Sequence, residues 1–405
     1  MPRLLPSVTD GRNFSLMNIV LLGHDQESLQ QDNVFRTDTM IVVSVNTTTN
    51  TVSMLALPRD LLVYVPNWGM QRLNLAWGRG ESIGWTDGGW GMFRQAVLYN
   101  FGIELHYYAM VDFSGFQAII NVLEGVTIAV DCPVRGYLFT GEYDAEQQPI
   151  FELTTLPIGV HHLNSREALW YARTRSNSTD FDRGRRQQQL LRAIWAQSRD
   201  LGLLSQLPSL WNDMLAVVDT NVPLEVVLQL APLGLTLEPN AIENHFFRLN
   251  IESRSWTTPS GDNVQLPNGA MITMVQNFLT PPTQNRLVTD AARIHIYDGS
   301  GQDARWDAVA ADRLIWEGLL AQPQGPAEAP YAETVIIDYT GATKGSSLEE
   351  LARVLNVRAD QVQFEPDPNR TADFEVFLGA NYSSCFEREV QVVEYAPPAT
   401  PTPAP

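Results

Sequence analysis

Three apolar segments within the first sixty residues constrain the fold of this chain most strongly. They read NIVLLG at positions 18–23, MIVVSVN at 40–46 and TVSMLALP at 51–58. A continuous apolar run of this kind is typical of a buried strand. The residues TTTN between the second and third segments predict that these two strands form a β-hairpin. The chain therefore begins with the strands of a buried sheet.

Helical and strand patterns alternate beyond these segments. Strands are predicted at 107–111 and 126–130. Helices are predicted at 92–100, 113–123, 165–171, 185–200 and 270–278, with two or three more within 203–235. This alternation indicates an α/β layered domain that ends near residue 282. The Gly- and Trp-rich stretch from 68 to 90 has little periodicity and is predicted to be a long functional loop.

A second unit starts at residue 291. The segment ARIHIYDGSG, followed by a helical pattern at 303–320, predicts a strand, a turn and a helix, and the segment from 334 to 355 repeats this plan. A last strand is predicted at 374–378, before a Pro-rich tail. We therefore expect an N-terminal segment, a large α/β domain, a linker, a small α/β domain and the tail. Their predicted bounds are 1–13, 14–282, 283–290, 291–382 and 383–405.

The distribution of charge points to an anion site. The chain carries a formal charge of -19, yet residues 173–192, RTRSNSTDFDRGRRQQQLLR, contain six arginines and two aspartates. An acidic protein lacks the broad basic face that nucleic-acid binding requires, so no nucleic-acid partner is expected. Arginine offers fixed, forked donors that suit phosphate. A solvated basic helix face is the alternative interpretation of such a charge run.

The helix within this segment adds to the anion hypothesis. Residues able to cap its start are Ser178, Thr179, Asp180 and Asp182. Arg183, Arg186 and Gln187 then lie three and four residues apart and share one face of the first turns. A helix N-terminus itself attracts phosphate. With Arg173 and Arg175 upstream, the segment predicts a pocket for a doubly charged group such as a pyrophosphate.

Polar residues also flank the first three strands. Asp25 follows the first strand, Asp38 precedes the second, and Arg59 follows the third. If these strands alternate in direction, all three residues emerge at one end of the sheet, with Arg36 on the same loop as Asp38. Taken singly, each of them is as easily a loop or surface residue. Their coincidence predicts a shared site of carboxylates and guanidiniums.

The cysteines and the hydropathy bear on the compartment. Cys132 and Cys385 have no metal-ligand spacing, and two separate buried thiols are favoured over one long-range disulfide, which would require an exported protein. No run approaches the ~18 apolar residues that a membrane span requires. The N-terminus also lacks the apolar core of a signal peptide. The chain is therefore expected to be soluble, or to lack an anchor that precedes it.

Several motifs occur in a recognisable order. They are NIVLLGHDQ, RTDTM, LALPRD, RLNLAW with a later GG, YYAMVDFSGFQAIINVLEGV, HHLNSREALWYARTR and DFDRGRRQQQ. In this order they resemble the LytR-CpsA-Psr family of bacterial cell-wall enzymes, from about residue 14 to 279. The region 292–382, which ends in FEVFLGANY, resembles the LytR C-terminal domain, expected here to bind a partner or the cell wall.

The resemblance implies a fold and an activity. The fold would be a three-layer α-β-α domain with a central mixed sheet and an apolar tunnel for a polyprenyl tail. The activity would be a phosphotransfer, dependent on Mg2+ or Mn2+, that moves a glycopolymer from an undecaprenyl-pyrophosphate carrier to a peptidoglycan hydroxyl. The protein would act outside the cytoplasm at the membrane surface, held by an N-terminal anchor that this chain lacks. The Gly-Trp content of 68–90 departs from the family pattern and bears on acceptor recognition.

The resemblance also implies residue roles. Asp25 and Asp38 would position the metal. Asp180 or Asp182 would orient arginines or assist the acceptor. The phosphates would be held by Arg36, Arg59, Arg173, Arg175, Arg183, Arg186 and Gln187. The catalytic set would be Arg59, Asp38, Arg183 and Asp182.

Two other functions fit the same residues. One is hydrolysis of a polyprenyl pyrophosphate, with water in place of the sugar hydroxyl. The other is non-catalytic binding of lipid-linked glycans, or a scaffold role at the wall.

Overall fold

The apolar segments of the N-terminal region form the middle of a six-stranded sheet. The computed structural model describes residues 16–24, 35–175, 180–280, 287, 290–302 and 304–385. The strands are β1 Leu16–His24, β2 Thr37–Asn46, β3 Thr51–Ala56, β4 Leu62–Val65, β5 Gly69–Arg72, β6 Tyr107–Val111, β7 Val126–Val130, β8 Val134–Tyr143, β9 Pro149–Leu156, β10 Gly159–Leu163, β11 Asp219–Thr220, β12 Ile242–Phe246, β13 Ser253–Thr257, β14 Asn263–Pro267, β15 Arg293–Asp298, β16 Leu320–Pro326, β17 Val335–Asp338, β18 Val362–Phe364 and β19 Phe374–Leu378. The α-helices are α1 Ala76–Ser82, α2 Gly88–Phe101, α3 Phe113–Val122, α4 Ser165–Arg173, α5 Asp180–Asp200, α6 Leu207–Leu215, α7 Leu224–Thr236, α8 Ala270–Phe278, α9 Trp306–Trp316 and α10 Gly345–Leu355.

The strand order of this sheet is β11-β6-β1-β2-β3-β12. Its middle is antiparallel, because β2 pairs in the opposite direction with both β1 and β3. The outer strands β6 and β12 run parallel to β1 and β3, so the sheet is mixed. The end of β1, the start of β2 and the end of β3 therefore meet at one end of the sheet, which we call the cleft end. The predicted strand directions are confirmed.

Alternate residues of the central strands serve two different cores, as the two-residue period of a strand requires. Met40 and Val42 of β2 pack with α1, α2 and α8 on one face. Ile41 and Val45 pack with α5 and α7 on the other face. The three-layer α-β-α arrangement with a central mixed sheet is confirmed.

A small α/β unit follows the large one, also as expected. Its five strands have the order β16-β15-β19-β17-β18, and α9 and α10 bury one face of this sheet. The repeated strand-turn-helix plan is present, although the first helix is shorter than predicted. It ends before Gly318, whose φ of 93° lies in the left-handed region that glycine adopts without strain.

The prediction of a long loop at 68–90 was wrong. This stretch contains β5, α1 and the start of α2. Its glycines let the two helices pack closer than any side chain would allow. A Cβ at Gly80 would lie 2.6 Å from the Gly88 carbonyl oxygen, and one at Gly89 would lie 2.5 Å from the Trp77 indole. Glycine is unfavourable inside isolated helices, so its clustering conceals a helix pair that close packing stabilises.

The interpretation of the cysteines as two separate thiols was also wrong. Cys132 and Cys385 form a disulfide that joins positions 253 residues apart in the sequence. Such a pairing brings the end of the small unit next to β7, and no local pattern could reveal it.

Four further features carried no clear sequence signal. The β8–β9 and β13–β14 hairpins, the strand β10 and the edge strand β12 were not predicted. The first hairpin exposes large apolar residues such as Tyr137 and Phe151, which departs from the usual alternation of a half-buried strand.

In the part of the chain that the structure describes, every helix is too short or too polar to span a bilayer.

We predict that Gly89→Ala lowers the free energy of unfolding by about 1–3 kcal/mol, as overpacking does. The new Cβ would meet the Trp77 side chain at 2.5 Å and the Trp77 carbonyl oxygen at 2.7 Å. Helix propensity alone would favour alanine by about 1 kcal/mol, so the two effects have opposite signs. Chemical denaturation measures the difference.

Gly269→Ala is the matched control. Gly269 has an ordinary helical φ of -62°, and its Cβ would meet nothing within 4 Å. This substitution should be neutral or slightly stabilising. Equal effects of the two substitutions would contradict close packing of α1 on α2.

Candidate active site

Helix α5 carries most of the arginine segment, and it is buried although its sequence is polar. Gln188 is 0 % and Gln189 4 % exposed, while Arg183 is 6 % and Arg186 5 % exposed. Removing an amide from water without a new hydrogen bond costs about 2–7 kcal/mol, and an unpaired charge costs more. The position of α5 therefore depends on partners for these side chains.

Two glutamines of the QQQ motif fix α5 on the sheet. Gln187 Nε2 donates to the Thr39 hydroxyl of β2 at 2.9 Å and to the Ala172 carbonyl of α4 at 3.2 Å. Gln188 Nε2 donates to the His245 carbonyl of β12 at 2.8 Å. The helix is thus tied to two strands of the sheet and to the end of α4.

Gln189 and Arg186 fix the other sides of the helix. Gln189 Nε2 donates to the Ala129 carbonyl of β7 at 2.8 Å, and its Oε1 accepts from the Tyr171 hydroxyl at 2.8 Å. Arg186 Nε donates to the Tyr171 carbonyl at 3.0 Å, and its Nη2 donates to the Thr174 carbonyl. Arg186 thus holds the chain that leaves α4.

A cleft opens where the N-terminal turns of α5 reach the cleft end of the sheet. It is lined by Asp38, Arg59, Arg183 and Gln187, among others. Arg59 Nη1 lies 3.2 Å from Asp38 Oδ1, and Arg59 Nε lies 3.2 Å from Asp60 Oδ2. The side chains of Arg59 and Asp38 remain 23 % and 34 % exposed, so a solute can reach them. The structure therefore brings Asp38 and Arg59, which were predicted to share one end of the sheet, next to Arg183 of the arginine segment.

The other predicted arginines lie around this cleft or support it. Arg36 is half-buried immediately before β2, at the cleft end. Arg173 and Arg175 are exposed on the chain that Arg186 holds, and the Arg173 guanidinium carbon lies 3.9 Å from the centre of the Phe113 ring. Arg186 itself is directed to carbonyl groups and does not line the cleft, unlike Arg183.

The structure describes the side chains of only some of the predicted carboxylates. Asp182 is half-buried in the first turn of α5. Asp25 lies outside the described residues, and so does the side chain of Asp180. Asp38 is the carboxylate that the described part of the chain contributes to the cleft lining. Among the described residues, no three His, Cys, Asp or Glu side chains converge to bind a metal on their own.

This donor set fits magnesium nonetheless. Mg2+ retains several waters and is commonly bound through one or two carboxylates together with substrate phosphates. A single carboxylate in an open cleft lined with arginines offers that kind of site. Asp38 would hold the ion, with the remaining ligands coming from water and a phosphorylated substrate.

An ion pair also holds α5 in place. Its arginine, Arg185, is the residue after Gly184, which lines the cleft. Arg185 Nη2 lies 2.6 Å from Asp131 Oδ2, and Arg185 Nη1 lies 3.0 Å from Asp131 Oδ1, so the pair is bidentate. Burial raises the pKa of the Asp131 carboxyl, but the Arg185 charge and hydrogen bonds outweigh burial and leave that pKa below its ordinary value. The same carboxylate keeps the pKa of Arg185 raised despite burial.

An apolar cavity of about 260 Å³ lies beside the cleft on the same face of the sheet. Val43 and Val45 of β2 form its floor, and Leu191 and Trp195 of α5 cover it. Along β2, Thr39, which bonds to the cleft-lining Gln187, is followed on this face by Ile41 and then by Val43. Along α5, Gln187 is followed one turn later by Leu191. The polar cleft and the apolar cavity thus lie one after the other along a single helix. The apolar tunnel that the resemblance implies stays a prediction.

Sequence reasoning missed several residues that build this site. Thr39 and Asp131 bond to α5 from positions more than fifty residues away, which no spacing in the sequence reveals. Gly184 carried a usable signal, since a glycine inside a polar helix suggests a close approach. A Cβ at Gly184 would lie 3.3 Å from that of Ala56.

Comparison with known proteins identifies the class to which this chain belongs. Residues 7–278 match the profile of the LytR_cpsA_psr family, so the chain belongs to that family. Regulatory protein MsrR of Staphylococcus aureus is 30% identical over 215 residues, which cover 52% of this chain and 58% of MsrR. The match thus spans less than two thirds of that relative.

One further relative is named for a wall polymer, and one solved structure shares the fold. The polyisoprenyl-teichoic acid–peptidoglycan teichoic acid transferase TagU of Oceanobacillus iheyensis is 29% identical over 246 residues, which cover 60% of this chain and 68% of TagU. The crystal structure of Bacillus subtilis TagV superposes with a TM-score of 0.52 at 23% identity, covering 66% of this chain and 99% of TagV. At that identity the superposition supports the fold alone.

We predict that Asp131→Asn lowers the free energy of unfolding at pH 7 by about 3–5 kcal/mol, because it leaves the Arg185 guanidinium buried without its counter-ion. The folded-state pKa of Asp131 is lowered. Its contribution is therefore complete above the unfolded-state pKa of about 4 and is lost as the pH falls through the lower folded-state pKa. The difference between wild type and variant should shrink below pH ~4.

Asp200→Asn on the same helix is the control. Its ion pair with Arg199 is exposed, with Asp200 66 % accessible, and should contribute well under about 1 kcal/mol. A similar loss in both variants, measured by denaturant titration at several pH values, would contradict the role of the Arg185–Asp131 pair.

Proposed function

We propose that this protein is a phosphotransferase that moves a glycopolymer from a polyprenyl-pyrophosphate carrier to a hydroxyl of peptidoglycan. One observation carries the proposal. An arginine-lined cleft and an apolar cavity lie in succession under helix α5, matching a ligand with a diphosphate head and an apolar tail. The name of the relative TagU, a polyisoprenyl-teichoic acid–peptidoglycan transferase, supports this direction.

Arg59 and Arg183 would hold the two phosphates, aided by Gln187. Both guanidiniums are anchored in a partly desolvated cleft, where charge stabilisation is stronger than in water. Arg36, Arg173 and Arg175 would complete the ring of positive charge from the cleft end and from the chain after α4. Phosphoryl transfer requires mainly such alignment and neutralisation of oxygen charge.

The proposed reaction balances as a single displacement. The oxygen of the acceptor hydroxyl attacks the phosphorus that bears the glycan and forms a new P–O bond. The bond from that phosphorus to the bridging oxygen breaks, and its electrons leave with polyprenyl monophosphate. The hydroxyl proton passes to a carboxylate, for which our candidate is Asp182, the neighbour in sequence of the cleft-lining Arg183.

Asp38, with Asp25 as a second candidate, would hold Mg2+ or Mn2+ beside the phosphates. A bound divalent ion neutralises charge on the phosphate oxygens and orients them. In this arrangement the Asp38–Arg59 contact keeps the Arg59 guanidinium directed at the same phosphates.

The disulfide bears on where the reaction takes place. Stable disulfides persist in oxidising compartments. The Cys132–Cys385 bond therefore supports an extracytoplasmic protein. If the apolar cavity binds the tail of a membrane lipid, the protein must act at the membrane surface. We thus propose action outside the cytoplasmic membrane.

Arg59→Ala and Arg183→Ala should each lower the rate of transfer from a lipid-linked donor in the presence of Mg2+ by at least about a hundredfold. Arg254→Ala is the matched control, because Arg254 is exposed on β13 and does not line the cleft, and it should leave the rate unchanged. Separating lipid-linked donor from product by chromatography measures the rate.

Three outcomes separate the functions considered. Attachment to peptidoglycan supports transfer. Release of polyprenyl monophosphate with free glycan phosphate and no acceptor product would favour a hydrolase. If the wild type forms no product and both variants bind lipid normally, catalysis is contradicted and a non-catalytic binder remains.

The apolar cavity yields a separate prediction. Each buried methylene of a prenyl tail contributes about 0.8 kcal/mol, so affinity should rise from geranyl to geranylgeranyl diphosphate. Val43→Phe should narrow the cavity and reduce this gain, while the affinity for inorganic pyrophosphate stays unchanged. Isothermal titration calorimetry measures the affinities for geranyl diphosphate, geranylgeranyl diphosphate and inorganic pyrophosphate.

Leu228→Phe is the control for this substitution. Leu228 lies on α7, next to the cavity wall, but its side chain is 44% exposed and does not line the cavity. If Val43→Phe weakens inorganic pyrophosphate and the prenyl diphosphates equally, the cavity does not receive the tail.

A further inference from the structure

Helix α5 is held on a further side by the small C-terminal unit. Arg185, Gln189 and Arg192 recur at spacings of four and three, so they share one face of the helix. That face is turned to α9, whereas Gly184, Leu191 and Trp195 face the sheet. The helix with the proposed phosphate ligands is thus enclosed between the two units.

Two residues of α9 make these contacts. Asp312 Oδ2 accepts a hydrogen bond from Gln189 Nε2 at 3.2 Å. The indole of Trp316 lies under two guanidiniums, whose central carbons are 5.1 Å (Arg185) and 5.6 Å (Arg192) from the ring centre. Cation–π contacts of this kind are stronger when water is excluded, and Trp316 is 8% exposed.

The end of the small unit is tied to the same place. Cys385 is bonded to Cys132, and the Ser384 hydroxyl donates to the Asp131 carbonyl at 2.5 Å. The side chain of Asp131 holds Arg185 on α5. The disulfide, the backbone contact and the ion pair therefore converge on two consecutive residues beside α5.

Arg192 connects this contact to the apolar cavity. It lines the cavity, and its Nη2 donates to the Pro239 carbonyl at 3.1 Å while its guanidinium lies over Trp316. Burial raises the pKa of Asp312 and the Arg192 charge opposes the rise; burial likewise lowers the pKa of Arg192. Burial thus disfavours the charged form of both Asp312 and Arg192, and the opposite charge of each group offsets part of that cost for the other.

We propose that the C-terminal unit is part of the scaffold of the active site, and that Asp312 and Trp316 are positioning residues that hold α5 for the diphosphate. This inference rests on the proposed function. It assigns the unit a role inside the molecule, in place of a separate wall-binding module. Displacing α5 would move Arg183 and Gln187 at the cleft and Arg192 at the cavity wall together.

The test uses the full chain with two variants of α9. Asp312→Asn keeps the shape of the side chain and removes its charge, and Trp316→Leu removes the ring and keeps an apolar group. Glu349→Gln is the matched control, because it removes one negative charge from the same unit at an exposed position of α10. Trp316→Phe restores a ring and should recover most of the loss.

Two measurements are made on each variant. Hydrogen–deuterium exchange of the 183–192 region reports how firmly α5 is held, without any ligand. Titration with geranylgeranyl diphosphate reports the site. We expect faster exchange in this region and roughly five- to tenfold weaker binding in Asp312→Asn and Trp316→Leu, with wild-type values for Glu349→Gln.

Unchanged exchange in both α9 variants would overturn the positioning role. Faster exchange with unchanged binding would also overturn it, because α5 would then be held for stability alone. A wild type that does not bind the probe at all would contradict the proposed function instead. In that case the exchange data alone decide whether α9 holds α5.

Discussion

The burial of a polar helix is the constraint on which the rest of this structure depends. Helix α5 lies between the main sheet, the chain after α4 and the C-terminal unit, and apolar contacts cover only part of its surface. Its glutamines each take a partner on a different neighbour: Gln187 on β2, Gln188 on β12 and Gln189 on β7. An amide group buried here without hydrogen bonds would cost more free energy than one hydrogen bond contributes. The geometry of these hydrogen bonds therefore fixes the position of the helix.

This arrangement explains why arginines of one short segment act differently. Arg185 is neutralised by Asp131, and Arg186 donates to backbone carbonyls, so both serve to hold the helix. Arg183 occupies the side of α5 that faces the cleft, opposite Arg59. A solvated basic face would leave such residues exposed. The burial of Arg183 and Arg186 contradicts that interpretation and keeps their guanidiniums in fixed positions.

The sequence predicted the central sheet because its signals were local and strong. Continuous apolar runs and a hairpin turn established β1 to β3, and strand direction then placed Asp38 and Arg59 at one end, where they now lie 3.2 Å apart. The α1–α2 pair was missed because its stability comes from close packing at glycines such as Gly89, which local propensity counts as unfavourable. Which arginine would face the cleft was also beyond prediction. That choice depends on partners distant in sequence, such as Asp131 for Arg185.

The disulfide and the α9 contacts connect the small unit to the large one. Two domains joined by a flexible linker would move independently, since interfaces between domains are usually small and polar. Here a covalent bond, an ion pair and a buried carboxylate meet within a few residues of one helix. The proposed clamp for two phosphates would require its guanidiniums to stay in place while charge moves during transfer. Holding α5 from both sides, by the sheet and by α9, would meet that requirement, while the described residues that line the cleft all come from the large unit.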